Sequence, residues 1–292
     1  LFHIHGLIAA VASSLFQGAS IWCTGGFNAM TFFASMSAAK PTWYTAVPTM
    51  HQAILSRAGR NEEKIKANPL RFLRSSSASL PAQVMQTLRG TFNAPVVEAY
   101  GMTEATHQIC CNPLERQKPG SVGVPAGPKV RIAHESDNYL IEGIGEVVIS
   151  GPNVTPGYEI NPDANAKNFF EAEGKRWFRT GDQGSFDQEG FLELTGRLKE
   201  IINRGGEKIS PLEVDDVLMD FPGIAQVVTF ALPHPKLGEE VAAAVVMLEG
   251  QAASERDIRD FAATRMADFK VPRKVLILDE IPKGATGKIQ RI

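Results

Sequence analysis

Val96-Val97-Glu98-Ala99-Tyr100-Gly101-Met102-Thr103-Glu104 is the stretch whose reading decides the fold. Its first five residues have the β-branched, aromatic and small character of a buried strand. Gly101 permits a tight backbone turn, and a hydroxyl and a carboxylate follow at once. Before this strand the chain alternates. Residues 7–16 read as a helix, 19–23 as a short strand, and 31–39 as a helix stopped by Pro41. Residues 43–47 read as a strand, 48–57 as a helix and 71–75 as a strand. Pro81 opens a helix to Leu88, since proline suits a first turn. Strand, helix and strand in alternation predict a parallel sheet with helices packed on it.

After the strand the texture changes. Lys129–Ala133, Gly145–Ser150 and residues 190–195 are short β-type runs separated by Gly, Pro, Asn and Asp, which predicts a small β-rich subdomain. Residues 196–200 form a short polar junction. Beyond it strands at 201–203, 224–230, 241–248 and 274–278 alternate with helices at 212–220 and 254–266, the second capped by Ser254 with Asp257 three residues on. The expected fold class is therefore α/β and α+β multidomain. Residues 1–120 form a partial parallel α/β subdomain, 121–196 a β-rich one and 197–292 a C-terminal α+β domain.

Composition narrows the partners. A net charge of −2 with mixed signs gives no basic footprint for nucleic acid or an anionic membrane. No apolar stretch reaches the roughly 18 residues of a membrane span. Cys23, Cys110 and Cys111 have no zinc or disulfide spacing and read as buried structural thiols of a reducing compartment. The expected location is the cytoplasm, with the peroxisome as the alternative. Leu1 opens inside an apolar segment without an initiator methionine, so the sequence reads as a fragment.

Four stretches carry chemistry. Thr103 can donate to a phosphoryl oxygen while Glu104 offers a hard oxygen ligand to Mg²⁺; equally, the pair reads as a polar loop capping a helix. Arg74-Ser75-Ser76-Ser77-Ala78-Ser79-Leu80 puts small residues after a strand, where a planar ligand can approach the backbone, or forms an ordinary serine-rich turn. Asp182, in Trp177-Phe178-Arg179-Thr180-Gly181-Asp182, suits paired ribose hydroxyls because an ionised carboxylate only accepts. Arg197, in Gly196-Arg197-Leu198-Lys199-Glu200, can reinforce that ribose or neutralise a phosphate. Both are also common members of surface ion pairs. In Ile281-Pro282-Lys283-Gly284-Ala285-Thr286-Gly287-Lys288-Ile289 the spacing excludes a G-x-x-x-x-G-K-[ST] phosphate loop. Lys288 remains as a point charge on a glycine-flanked loop.

Tyr-Gly-Met-Thr-Glu, Trp-Phe-x-Thr-Gly-Asp, Gly-Arg-x-Lys-Glu and Pro-Lys-x-x-x-Gly-Lys-Ile, in this order and over essentially the whole chain, resemble the adenylate-forming superfamily of acyl–CoA synthetases, luciferases and peptide-synthetase adenylation domains. The resemblance implies a two-step reaction with ATP, Mg²⁺ and coenzyme A. A carboxylate is first joined to AMP with loss of pyrophosphate, then passed to the thiol. It implies that Ser76, Ser77, Ala78 and Ser79 line the adenine and acyl pocket, and that Tyr100 and Gly101 border the adenine. Thr103 would bind the α-phosphate and Glu104 the Mg²⁺, with Asp182 and Arg197 on the ribose. Lys288 would stabilise charge during adenylation. Lys199 would be the hinge of a swinging C-terminal domain, and Gly205 and Gly206 would border the pantetheine tunnel, although Gly-Gly is also a plain hairpin turn. His3 matches the family's pocket histidine, with His5 a weaker candidate. The family's β,γ-phosphate loop would lie upstream of Leu1, in a missing N-terminal half of the same protein. This polypeptide alone is therefore expected to show no adenylation.

For the acid, residues 103–108, 112–114, 118–123 and 285–291 look closest to the oxalate–CoA ligase branch. A second carboxylate held in a small site needs donors, and leaving it unpaired costs several kcal/mol. His3, Ser77, Met102 and His107 are the candidate lining. Alternatives are a medium-chain fatty acid or 4-coumarate-type ligase with a deep apolar pocket, and a peptide-synthetase adenylation domain loading a carrier protein.

Overall fold

The computed structural model describes residues 3–282, 284, 289 and 291. A π-helical turn, His5–Ala12, runs into α1 (Ser13–Phe16). Then come α2 (Phe32–Ala39), β1 (Trp43–Ala46), α3 (Pro48–Ala58), α4 (Glu62–Ala67), β2 (Phe72–Ser76), α5 (Ala82–Phe92) and β3 (Val96–Tyr100). β1, β2 and β3 pair in parallel. The sheet is extended antiparallel by β4 (Cys110–Cys111) and β5 (Val124–Pro125). Most of β2 and nearly all of β3 are buried, as expected of parallel strands covered on both faces. The expected strand at 19–23 does not form. Ile21 and Trp22 are exposed there, and no described strand pairs with the segment, so its apolar run has no sheet to join.

A second sheet follows, built from β6 (Lys129–Ala133), β7 (Leu140–Ile141), β8 (Gly145–Ser150), β9 (Phe169–Ala172), β10 (Lys175–Phe186) and β11 (Leu192–Arg197), with α6 (Pro162–Asn168) before β9. Its path is β11-β10-β8-β6-β7, with β9 on β10. β11 starts two residues later than the run expected at 190–195. Asp187 Oδ1 accepts from Glu189 N and Phe191 N at 2.8 and 2.9 Å, so residues 187–190 turn. Val130, Ile132, Val147, Ile149, Phe178 and Leu192 share one core with Ala105, Ile109, Cys110 and Val122. That common core explains why most of residues 121–196, expected as a separate subdomain, group with the first 120: residues 121–180 and 184–194 do so.

The chain divides into two compact units, Leu1–Thr180 with Gly184–Leu194, and Gly181–Gln183 with Thr195–Ile292. The second contains β12 (Ile202–Arg204), β13 (Glu207–Ile209), α7 (Pro211–Met219), β14 (Ile224–His234), β15 (Gly238–Met247), α8 (Glu255–Ala263) and β16 (Lys274–Ile277). Its sheet order is β13-β12-β15-β14, with β16 parallel to β15. Ser254 and Asp257 form a reciprocal capping box at α8. No helix among the described residues is long and apolar enough to cross a membrane.

Candidate functional site

The turn after β3 is built around Gly101. A Cβ there would lie 1.3 Å from the His107 carbonyl oxygen, so only glycine lets the loop close. His107 N donates to Met102 O at 3.0 Å and Ile109 N to Tyr100 O at 2.9 Å, stapling the loop at its base. Thr106 and His107 are held at φ 51° and 79°, a conformation that non-glycine residues keep only when the surroundings impose it. Asn153 supplies that constraint. Its Nδ2 donates to Ala105 O and Gln108 O at 2.9 and 3.2 Å, while Thr106 Oγ1 donates to Asn153 O at 2.8 Å. Glu104 is oriented from the same side. Thr155 N donates to its carbonyl at 2.7 Å, and the Tyr158 hydroxyl donates to its Oε1 at 2.9 Å. Burial and that bond push the Tyr158 phenol up to about 12. Thr103 is exposed at the tip. Tyr100 and Met102 are half-buried and pack against the core below.

Beside this loop lies a polar pocket. Ser76 Oγ donates to Ala99 O at 2.8 Å, so its hydroxyl bridges β2 to β3 instead of facing a ligand. Ser77 adopts φ 78° and meets His5 Nδ1 at 3.0 Å, while His5 Nε2 meets Thr45 Oγ1 at 2.5 Å. Ala78 is half-buried and Ser79 exposed. Glu98 is buried in β3, and its Oε1 accepts from Leu80 N at 2.9 Å, fixing the return of the serine turn. The His5 and His107 rings lie 5.4 Å apart. Arg74, only 6% exposed, reaches Gln108 Oε1 from Nη2 at 3.4 Å. Arg74 Nη1 and His107 Nδ1 are buried without a hydrogen-bond partner. Burial first, then the Arg74 charge, lowers His5 to about 3 and His107 to about 4, so both rings are neutral at pH 7. The histidine seated against Ser77 is thus His5; His3 is exposed, its Nδ1 accepting from His5 N at 3.2 Å.

In the second unit, Arg197 Nε stands 3.5 Å from Asp182 Oδ1. The two expected ribose residues are therefore brought together as an ion pair, Asp182 largely buried and Arg197 half exposed. Lys199 is exposed in a 3₁₀ turn, Leu198–Glu200, five residues past the boundary at Leu194. Gly205 and Gly206 have φ 61° and 98° and join β12 to β13. Positive φ at both central residues is the geometry of a two-residue hairpin, which by itself accounts for the glycines. A cleft of about 390 Å³ beside the hairpin is lined by Arg204, His234, Lys236, Leu237, Glu240 and Arg273. Lys288 lies outside the described residues.

Comparison with known proteins now decides the family. Residues 1–159 match the model of the AMP-binding enzyme family, and residues 213–288 match the AMP-binding enzyme C-terminal domain. The chain belongs to the AMP-binding enzyme family. Over 297 residues it is 50% identical to an oxalate–CoA ligase of Arabidopsis thaliana and 44% identical to one of Saccharomyces cerevisiae, covering all of this chain and 57% and 53% of those proteins. ATP-bound MatB from Rhodopseudomonas palustris superposes with a TM-score of 0.89 at 28% identity, over 99% of this chain and 56% of that one. The chain thus spans just over half the length of the relatives it matches.

Several residues of this candidate site have no signature in the sequence. Arg74 stood inside the quoted serine stretch, but its burial without a full set of partners has no sequence signature. Tyr158 and Asn153 lie some fifty residues from the loop they hold, and only the fold brings them to it. Among the described residues no group of three or more His, Cys, Asp or Glu is placed to hold a metal. A single oriented carboxylate such as Glu104 nevertheless fits Mg²⁺, which takes one or two carboxylates with phosphate and water oxygens. Burial pushes the Cys110 and Cys111 thiols up, as suits structural cysteines rather than reactive ones, whereas Cys23, expected to be buried, is exposed.

Proposed function

We propose that this chain is the C-terminal part of an AMP-forming carboxylic acid–CoA ligase whose acid is oxalate. The observation that carries the choice of acid is the buried Arg74 guanidinium, open at Nη1, beside neutral His107 and His5. An apolar chain or aryl ring against that group would leave a charge buried and unpaired, at a cost of several kcal/mol. A small dianion supplies what is missing: one carboxylate for Arg74 Nη1 and His107 Nδ1, the other free to react. The oxalate–CoA ligases among the relatives support the same reading.

In the proposed reaction a carboxylate oxygen attacks the α-phosphorus of ATP, and pyrophosphate leaves; the coenzyme A thiol then displaces AMP from the acyl-adenylate. Thr103 donates to the α-phosphate, and Tyr100 and the Gly101 backbone border the adenine with Ser77, Ala78 and Ser79. Glu104, held by Tyr158, takes Mg²⁺, which neutralises phosphate charge when bound. Asp182 and Arg197 hold the ribose. Lys288 places positive charge where the transition state accumulates negative charge. Lys199 is the hinge, and Gly205, Gly206 and the cationic cleft beside them receive coenzyme A. The protein is proposed to act away from membranes, in the cytoplasm or peroxisome.

Coenzyme A consumption by a full-length protein carrying this chain, across oxalate, malonate, octanoate and coumarate, tests the proposal. Oxalate should give the highest kcat/KM. Turnover of octanoate with none of oxalate would overturn the assignment.

A further inference from the structure

The end of the second unit contains a cluster that the proposed chemistry does not use. Ile281 is fully buried against Val228 and Ala244, and Ile289 packs on the same patch with Phe230 and Val246. Ile281 and Ile289, the residue after Lys288, therefore share one apolar patch. Two positions on, the Arg291 guanidinium makes three connections. Nε donates to Thr229 O in β14 at 3.1 Å. Nη2 pairs with the Asp215 carboxylate in α7. Nη1 stands 3.9 Å from Glu200 Oε2, at the end of the 3₁₀ turn that carries Lys199.

Asp215 is itself fixed, its Oδ1 accepting from Thr229 N at 2.7 Å. The surroundings are acidic. Burial pushes Asp215 up to about 6 against the pull of Arg291. Burial, Asp215 and Asp220 together push Asp216 up to about 7. Arg291 is the cation that lets Asp215 stay ionised inside α7, and a buried ion pair of this kind holds its geometry because breaking it strands a charge.

We infer that Arg291 is a positioning residue, which fixes the chain immediately after Lys288 to α7 and β14 and ties it to the Lys199 turn. The inference rests on the roles proposed above for Lys288 and Lys199. One guanidinium thus reaches α7, β14 and, through Glu200, the turn that carries Lys199. Rate in adenylation depends on that placement, since an error of about 1 Å at a reacting group can cost about 100-fold.

The test uses ATP–pyrophosphate exchange and thermal unfolding in a full-length enzyme carrying this chain. Arg291→Met should lower exchange kcat about 100-fold while KM for ATP stays within about 2-fold, and should also lower the melting temperature. Arg291→Lys keeps the charge opposite Asp215 but not the three-way reach, and should lose about 10-fold in kcat with little change in melting. Adding Asp215→Asn to Arg291→Met removes the stranded carboxylate, so melting should recover without kcat. Recovery of kcat together with melting would show a structural role only and overturn the inference. So would wild-type exchange in Arg291→Met. Lys288→Ala separates the two levels of argument. If it is inactive while Arg291→Met exchanges at the wild-type rate, only the positioning role falls. If Lys288→Ala exchanges normally, the role of Lys288 falls, and this inference with it.

Discussion

Arg179, largely buried, and Arg74, buried, are arginines of the first unit, one on the β-rich sheet and one on the parallel sheet, and their surroundings treat them oppositely. Arg179 Nη1 donates to Glu146 Oε2 at 2.5 Å and His134 O at 3.1 Å, and Nη2 to Asp137 O at 2.6 Å and Asn138 Oδ1 at 3.1 Å. Its guanidinium also sits 4.6 Å over the Phe170 ring. Arg74 has one long contact, 3.4 Å to Gln108, and an Nη1 with none. Arg179 is a strut, its charge cancelled and its donors spent inside the protein. Arg74 retains binding capacity at a buried position, and a fold keeps such a group when a ligand completes it.

This contrast can be broken at several points. The largest effect is expected at Arg179. Arg179→Met strands the buried Glu146 carboxylate and should cost about 3–5 kcal/mol in urea unfolding, while the activity of the protein that still folds is retained. Gly101→Ala comes next. The added methyl must displace the His107 carbonyl, at about 1–3 kcal/mol, and oxalate turnover should fall with it because His107 moves. Arg74→Met should do the reverse of Arg179→Met, leaving ligand-free stability within about 1 kcal/mol of wild type or above it. A loss as large as that of Arg179→Met would mean that Arg74 is a strut too.

The smallest expected effect is a pH dependence. His5 and His107 titrate near 6.5 when unfolded and near 3 and 4 when folded. Their contribution to stability is complete above pH 6.5. It is lost as pH falls toward about 4 and then 3, because the unfolded chain takes up protons that the folded one refuses. Arg74→Met removes one cause of both depressions and should raise both folded values, which imidazole NMR titration would read. Unchanged values would place Arg74 electrically apart from the two rings.

How much of this was readable without the fold varies by element. β3, β6 and β8 were legible end to end, because each carries β-branched residues, alternating with charges in β6, and is closed by turn-forming residues. β10 was not: its Arg179–Asp182 stretch is polar and reads as a binding motif, whereas the fold carries it through as a continuous strand. Residues 19–23 had the composition of a strand and found no partner. For the site, the motifs singled out Glu104, which Tyr158 holds, and Asp182 and Arg197, which the fold pairs. Choosing between His3 and His5 required the π-helical turn, which buries the second ring against Ser77 and Thr45 and leaves the first exposed. Arg74 was hidden because a buried arginine and an exposed one are the same letter, and Arg291 because Asp215, its partner, is far along the chain.

If Arg74 recognises a second carboxylate, substrate preference depends on it. The ratio of kcat/KM for oxalate to that for octanoate should be measured in a full-length enzyme carrying this chain, wild type against Arg74→Met. That ratio should fall about 100-fold, the cost of losing a charge-assisted contact in a buried site, with octanoate turnover unchanged or improved. An unaltered ratio would contradict it.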